Sequence, residues 1–133
     1  MATPYQDRKI SDPAINVGDE PYFAAAGEGR LMVGKCGACG KVHHFPRPLC
    51  PFCFSDKVSQ VQARGTGTVY SYSVSRRAGP VVFCIAYVQL DEGVKMMTNI
   101  VDCDLDTVRI GQPVKVVFKQ TAGGVSLPMF TPG

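Results

Sequence analysis

From Thr68 to Phe130 apolar and polar residues alternate with a period of two, interrupted by glycine-bearing turns, a pattern that predicts strands. Thr68-Val69-Tyr70-Ser71-Tyr72-Ser73-Val74 sets Tyr70, Tyr72 and Val74 on one face and mostly serines on the other. Val81 to Leu90 is almost continuously apolar, which predicts a strand covered on both sides. Asp91-Glu92-Gly93 reads as a hairpin turn with Gly93 in the left-handed conformation, and Val94 to Val101 as the return strand. Asp104 to Thr107 reads as a short helical turn, broken by Gly111-Gln112-Pro113. Val114, Val116 and Phe118 then share a face opposite Lys115 and Lys119, and Gly123-Gly124 turns the chain into a last strand, Val125 to Phe130. Roughly five short antiparallel strands suit a small closed or partly open barrel, with the OB-fold as the leading candidate.

The first half obeys other rules. Residues 1–17 hold Pro4, Pro13 and few apolar residues, and predict an extended arm. Asp19 offers an N-cap, Glu20 and Pro21 fill a first helical turn, and Tyr22 to Ala26 continue it until Gly27 and Gly29 stop the helix. So short a helix needs packing, on its own ribbon or on a partner subunit, and at least part of the arm is expected on a partner. Leu31 to Phe45 reads as strand, turn, strand, and Pro46 and Pro48 confine the stretch around them to an edge or loop. Three units result: an arm with one short helix over 1–30, a ribbon over 31–60 and a barrel over 61–133.

The ribbon is too small to bury a sufficient core, and its cysteines supply the alternative. Cys36-Gly-Ala-Cys39 and Cys50-Pro-Phe-Cys53 are separated by ten residues. Two residues between thiolates let both sulfurs of a turn face one ion, and two such turns make a closed tetrahedral site for structural zinc. Iron is the alternative metal, although the gap is short for an electron-transfer rubredoxin and Phe54 stands where a glycine is usual after the second pair. Two disulfides are the competing use, and they belong to an oxidising compartment. Four thiolates fill the site, leaving His43 and His44 as strand residues on the ribbon surface. Cys84 reads as a small buried hydrophobe, and Cys103, beside Asp102 and Asp104, as a thiol held protonated. Neither has an adjacent base to make it a nucleophile.

The whole chain has 133 residues, 45% hydrophobic and 19% charged, ordinary for one domain or two small units. Its apolar runs fall short of the roughly 20 residues of a membrane span, and its first residues lack the layout of a secretory signal. With metal-type cysteine pairs, that points to a reducing cytoplasm. A net charge of +3 is mild for a nucleic-acid binder and compatible with an anionic ligand.

Further marks carry a family resemblance. Arg30-Leu31 leads into the first cysteine pair, and Phe45-Pro46-Arg47-Pro48-Leu49 into the second. Gly65-Thr-Gly67-Thr68-Val69-Tyr70-Ser71-Tyr72, Val88-Gln-Leu90-Asp91-Glu92-Gly93-Val94 and Ile110-Gly111-Gln-Pro113-Val114-Lys-Val116-Val-Phe118 come next, in that order. Over nearly its whole length the chain resembles a family of small acyl-CoA-associated proteins. They join a helical arm, a rubredoxin-like zinc ribbon and a C-terminal OB-fold. Many relatives carry two consecutive prolines where this chain has Phe45-Pro46-Arg47-Pro48.

The resemblance implies a non-catalytic subunit of a thiolase-superfamily enzyme, in a hetero-oligomer acting on acyl-CoA by acyl transfer, thiolysis or retro-aldol cleavage. The ribbon and arm would dock the enzyme, and the barrel would shape the coenzyme A and acyl channel. Arg76 and Arg77 would then be candidates for the coenzyme A phosphates, which suit guanidinium forks. The competing reading is a single-stranded nucleic-acid binder, since OB-folds stack bases on strand aromatics such as Tyr70, Tyr72 and Phe83. Their apolar neighbours favour core packing for these rings, and Asp91 and Glu92 read as solvated turn residues rather than a carboxylate pair.

Overall fold

The computed structural model describes residues 2–16, 18–77 and 81–133. One helix, α1 (Glu20–Gly27), precedes eight strands: β1 (Met32–Cys36), β2 (Val42–His43), β3 (Val58–Gln62), β4 (Thr66–Ser75), β5 (Phe83–Leu90), β6 (Lys95–Ile100), β7 (Pro113–Gln120) and β8 (Ser126–Pro132). A 3₁₀ turn, Leu105–Thr107, links β6 to β7, and the Asp104 carboxylate caps it by accepting from the Asp106 amide at 3.0 Å. The first three strands form an antiparallel sheet in the order β2-β1-β3. The other five close a barrel in the order β4-β5-β6-β8-β7. No helix among the described residues is long and apolar enough to cross a membrane.

Closure rests on the pairing of the two ends of the order, β4 with β7, and the sheet is carried across its middle by the short β6–β8 contact. β4 runs antiparallel to β7, with Gly67 opposite Val114, and β6 meets β8 in parallel where Ile100 faces Phe130. Gly67 is required at that corner, because a side chain there would strike the Gln89 carbonyl oxygen across the β4–β5 ladder. Inside, Phe130, Leu90, Ile100, Val88, Val69 and Val114 are fully buried. Leu31 and Val33 of the ribbon end join the same apolar cluster, so ribbon and barrel share a core.

Two expectations about faces need correction. The β4–β5 register passes from Val69–Val88 to Ser71–Tyr87, so a bulge at Tyr70 takes that ring out of the inward alternation. Val69 turns inward, while Tyr70 and Tyr72 stay 53% and 39% exposed, so neither is a core residue. β5 is not covered on both sides either: its residues alternate, with Ala86 and Val88 buried and Ile85 and Tyr87 exposed. A continuous apolar run cannot distinguish a strand covered by its own chain on both faces from one whose outer face this chain leaves bare.

The arm runs along its own barrel. Pro4 bridges to Asp104, the Tyr5 amide donates to the Cys103 carbonyl at 2.9 Å, and the Ala122 amide donates to the Ile10 carbonyl at 3.0 Å. Asp12 accepts from the Thr121 hydroxyl at 2.5 Å and the Gly123 amide at 2.9 Å. These donors hold its carboxyl below the usual range, the Thr121 hydroxyl contributing most.

Asp19 stands at the N-cap position of α1, but its carboxylate does not cap the helix. That side chain accepts from the Asn16 amide at 3.0 Å, tying the arm to the helix entry. Tyr22, Ala25 and Ala26 form the buried side of the helix. The Tyr22 ring packs edge-on against Phe45 at 4.6 Å, and its hydroxyl meets His44 Nε2 at 2.8 Å. The helix therefore leans on its own ribbon.

Candidate metal centre

The two cysteine turns are built alike. In the first, the Ala38 and Cys39 amides point at Cys36 Sγ (3.3 and 3.4 Å), and the Gly40 amide donates to the Cys36 carbonyl at 2.9 Å. In the second, the Phe52 amide points at Cys50 Sγ (3.4 Å), and the Phe54 amide donates to the Cys50 carbonyl at 2.9 Å. Each turn closes on a residue in the left-handed region, Gly40 at φ +75° and Phe54 at φ +63°. The β1–β2 hairpin carries the first turn, and the loop before β3 carries the second.

The turns bring all four sulfurs to within 4.8 Å of one another. Cys36 and Cys53 Sγ lie 3.6 Å apart, and Cys39 and Cys50 Sγ 3.7 Å apart. Thiolates about 2.3 Å from a central zinc ion stand roughly 3.8 Å from each other in a tetrahedron, so the donor set fits that ion in number, softness and spacing. Cys36 and Cys50 are fully buried, while Cys39 and Cys53 face the surface.

The electrostatics of the cluster favour a cation. The Cys39 amide, with that of Ala38, brings the Cys36 thiol down to about 6. Burial opposes ionisation of Cys50, but the Cys53 and Phe52 amides outweigh it and lower that thiol as well. Cys53 receives help from the Ser55 amide, yet burial and the sulfurs of Cys36, Cys39 and Cys50 push it up to about 11. The Cys36 and Cys50 thiols are both biased towards ionisation, and a divalent ion would relieve the repulsion that resists it at Cys53.

The histidines do not lie on the ribbon surface as expected. His43 is 3% exposed because Gly34, opposite it on β1, leaves room for the imidazole. Burial, then the charge of Arg47, lowers its pKa. His44 is brought down to about 4 by burial and then by His43. A strand only two residues long gives too little alternation to read such burial from sequence.

The other candidates are scattered. Arg76 donates to Asp106 at 2.6 Å and to the Thr3 hydroxyl at 3.1 Å, which pins the arm; Arg77 next to it is exposed. Asp91 accepts from the Thr66 hydroxyl and Glu92 from the Arg64 amide, so both fasten the hairpin. Burial pushes the Cys84 thiol up to about 11, and burial with Asp104 and Asp102 raises that of Cys103. The outward aromatics carry their own cations: Lys95 Nζ sits 4.5 Å from the Tyr70 ring centre, and the Arg8 guanidinium 4.5 Å from that of Phe83. Each cation covers a face on which a base would stack.

Sequence reasoning did not single out the apolar group beside the second turn, where Leu49, Phe52 and Phe54 are 50%, 54% and 76% exposed. A signal was available: Phe54 occupies the position that Gly40 fills in the first turn.

Known proteins share this architecture. Residues 23–59 match the family described as the rubredoxin-like zinc ribbon domain of ChsH2, and residues 60–119 match its C-terminal OB-fold domain. A chain of the structure described as "Ltp2-ChsH2(DUF35) aldolase" is 38% identical and superposes with a TM-score of 0.79, over 91% of this chain and 98% of that one. A "Probable enoyl-CoA hydratase alpha subunit" of Thermomonospora curvata is 38% identical over 90% of this chain, which spans only 39% of that relative's length. A "DUF35 domain-containing scaffold protein" of Methanothermobacter thermautotrophicus is 35% identical over 68% of this chain and 72% of its own. A protein of unknown function from Sulfolobus solfataricus, 16% identical with a TM-score of 0.62 over 86% of this chain and 84% of its own, shares the fold. With its ribbon and its barrel both matched, the chain belongs to the ChsH2 (DUF35) family of rubredoxin-like zinc ribbons joined to OB-folds.

Proposed function

We propose that this chain is a non-catalytic, zinc-bearing subunit of a thiolase-type enzyme complex acting on acyl-CoA. The observation that carries the reading is the 38% identity to a chain of the Ltp2-ChsH2(DUF35) aldolase, with 98% of that chain covered. The name "scaffold protein" of another relative supports the accessory role, and "Probable enoyl-CoA hydratase alpha subunit" supports membership of an acyl-CoA enzyme complex, although of a hydratase.

Cys36, Cys39, Cys50 and Cys53 are the proposed zinc ligands. When bound, the ion supplies a cross-link between the two turns, and four thiolates leave it no open position for water or substrate. The residues' own part is structural: amides at Cys36 and Cys50 favour the thiolate form. A reducing compartment such as the cytoplasm suits such thiolates.

The three units divide the work in this reading. The ribbon over 31–60 docks the enzyme, the barrel over 61–133 shapes the coenzyme A and acyl channel, and the arm over 1–30 clamps them together. Arg76 and Arg77 remain the proposed contacts for the coenzyme A phosphates; Arg77 is the better placed, because Arg76 already holds Asp106. The test is a thiolase-type assay, thiolysis and retro-aldol cleavage, on the partner alone, on this chain alone and on both. Activity confined to the partner and raised by this chain supports the proposal. Turnover by the isolated chain, or no effect on any thiolase-type subunit it meets, overturns it.

A further inference from the structure

We infer that Phe54, with Leu49 and Phe52 beside it, is an anchor that inserts into a carboxylate-rimmed apolar pocket on the thiolase-type subunit. The inference rests on the proposed function and assigns it a contact.

The two cysteine turns form an internal control. Gly40 and Phe54 occupy the same place, with the same amide-to-carbonyl bond of 2.9 Å and nearly the same φ, +75° and +63°. Glycine adopts that conformation freely, whereas the Cβ of any larger L-residue crowds the backbone carbonyl. Packing normally offsets such strain. Here the Phe54 ring is 76% exposed and gains little packing within this chain. A strained, exposed ring points to a contact outside the chain.

The surroundings suit a contact. Leu49 joins Arg47, Pro48, Pro51 and Phe54 in lining a shallow groove of about 420 Å³, and Phe52, on the same cysteine turn, is a further exposed ring. The ring sits on a turn held by its own hydrogen bonds and by two of the ligand sulfurs, so little freedom is lost on docking. Aromatic anchors in such patches carry much of the energy of protein interfaces.

Charge selects the occupant. Residues 31–60 hold four basic residues and one acidic one, against ten of each elsewhere, so the whole formal charge of +3 lies in the ribbon. Two of those cations stand beside the exposed rings of the second turn or its groove. Lys41 Nζ lies 5.0 Å from the Phe52 ring centre, and Arg47 lines the groove. A two-fold pairing of this chain would set these cations against their copies, which disfavours a second copy. An enzyme surface with carboxylates around an apolar pocket complements both features. The broader apolar face of β5 and β6, with Ile85, Tyr87 and Met97, has no residue in the left-handed region and so lacks the strained ring that marks the second turn.

The experiment compares Phe54→Gly and Phe54→Asn with the wild-type chain, measuring metal content, melting temperature, oligomeric state and affinity for the thiolase-type subunit that co-purifies with the full chain. Both variants are expected to keep the metal and melt at or above the wild-type temperature, because each accepts a positive φ. Affinity is expected to fall at least about tenfold. Wild-type affinity in both variants would overturn the anchor while leaving the proposed function standing. A wild-type chain that binds no thiolase-type subunit would overturn both. A melting temperature lowered by several degrees would assign the ring to folding, and loss of a homodimer would assign it to a second copy; either result overturns the anchor.

Discussion

The ribbon and the barrel reach order by different routes within one chain. The barrel buries Val69, Val88, Leu90, Ile100, Val114 and Phe130 and satisfies its backbone around a closed ring of five strands. The ribbon has three strands, one only two residues long, and among its strand residues Val33 is the one fully buried aliphatic side chain. Leu31, His43 and Pro46 are also buried there, and the fully buried Cys36 and Cys50 are half of the sulfur cluster. The contrast teaches that a small sheet can stand where four sulfurs supplement a small share of the apolar core, and that the surface at its far end is then free to carry exposed rings such as Phe52 and Phe54. Perturbations that strike one mechanism and spare the other separate them.

The largest effect is expected from Cys50→Ser. Loss of one buried ligand should take bound metal from about one ion per chain to near none and forfeit much of the ~10–16 kcal/mol associated with structural zinc. Elemental analysis checks the first and denaturant unfolding the second. Phe130→Ala strikes the barrel instead. Phe130 is fully buried where β6, β7 and β8 meet, so the variant should lose about 3–5 kcal/mol while still binding metal.

A smaller, pH-dependent effect should come from the junction between helix and ribbon. His44 is held near 4 in the folded chain, below its ordinary value near 6.5, mainly by burial. The unfolded chain therefore binds more protons between those values, and stability falls as pH drops from about 6.5 towards 4. The contribution is about 3 kcal/mol. His44→Leu should flatten that part of the pH profile, measured as unfolding midpoints of the two proteins at each pH. The smallest effect belongs to the arm. Asp12→Ala removes the acceptor for Thr121 and Gly123 and should open residues 2–16 to protease with little change in the melting temperature.

The same contrast explains what could be read in advance. The four clustered cysteines announce themselves by spacing, because two residues between the members of each pair leave a mark in sequence. The barrel's strands from β4 to β8 were legible because each inward face repeats every second residue. The faces were not. The bulge at Tyr70 shifts the alternation by one residue, and nothing in Val69-Tyr70-Ser71 distinguishes a bulged strand from a regular one. The third ribbon strand, Val58–Gln62, was also missed, since its partly buried pattern arises only by pairing with β1. Burial of His43 depends on Gly34 across the ladder, a contact with no local signature. The arm's path was hidden for the same reason: Asp12 meets Thr121 across more than a hundred residues, a contact that composition cannot show.

Amide hydrogen exchange of the native chain before and after zinc chelation tests the central claim most directly. The account requires β1 and β3 to lose their protection when the metal is removed while β4 and β5 keep theirs. Unchanged protection throughout β1 and β3 would contradict it.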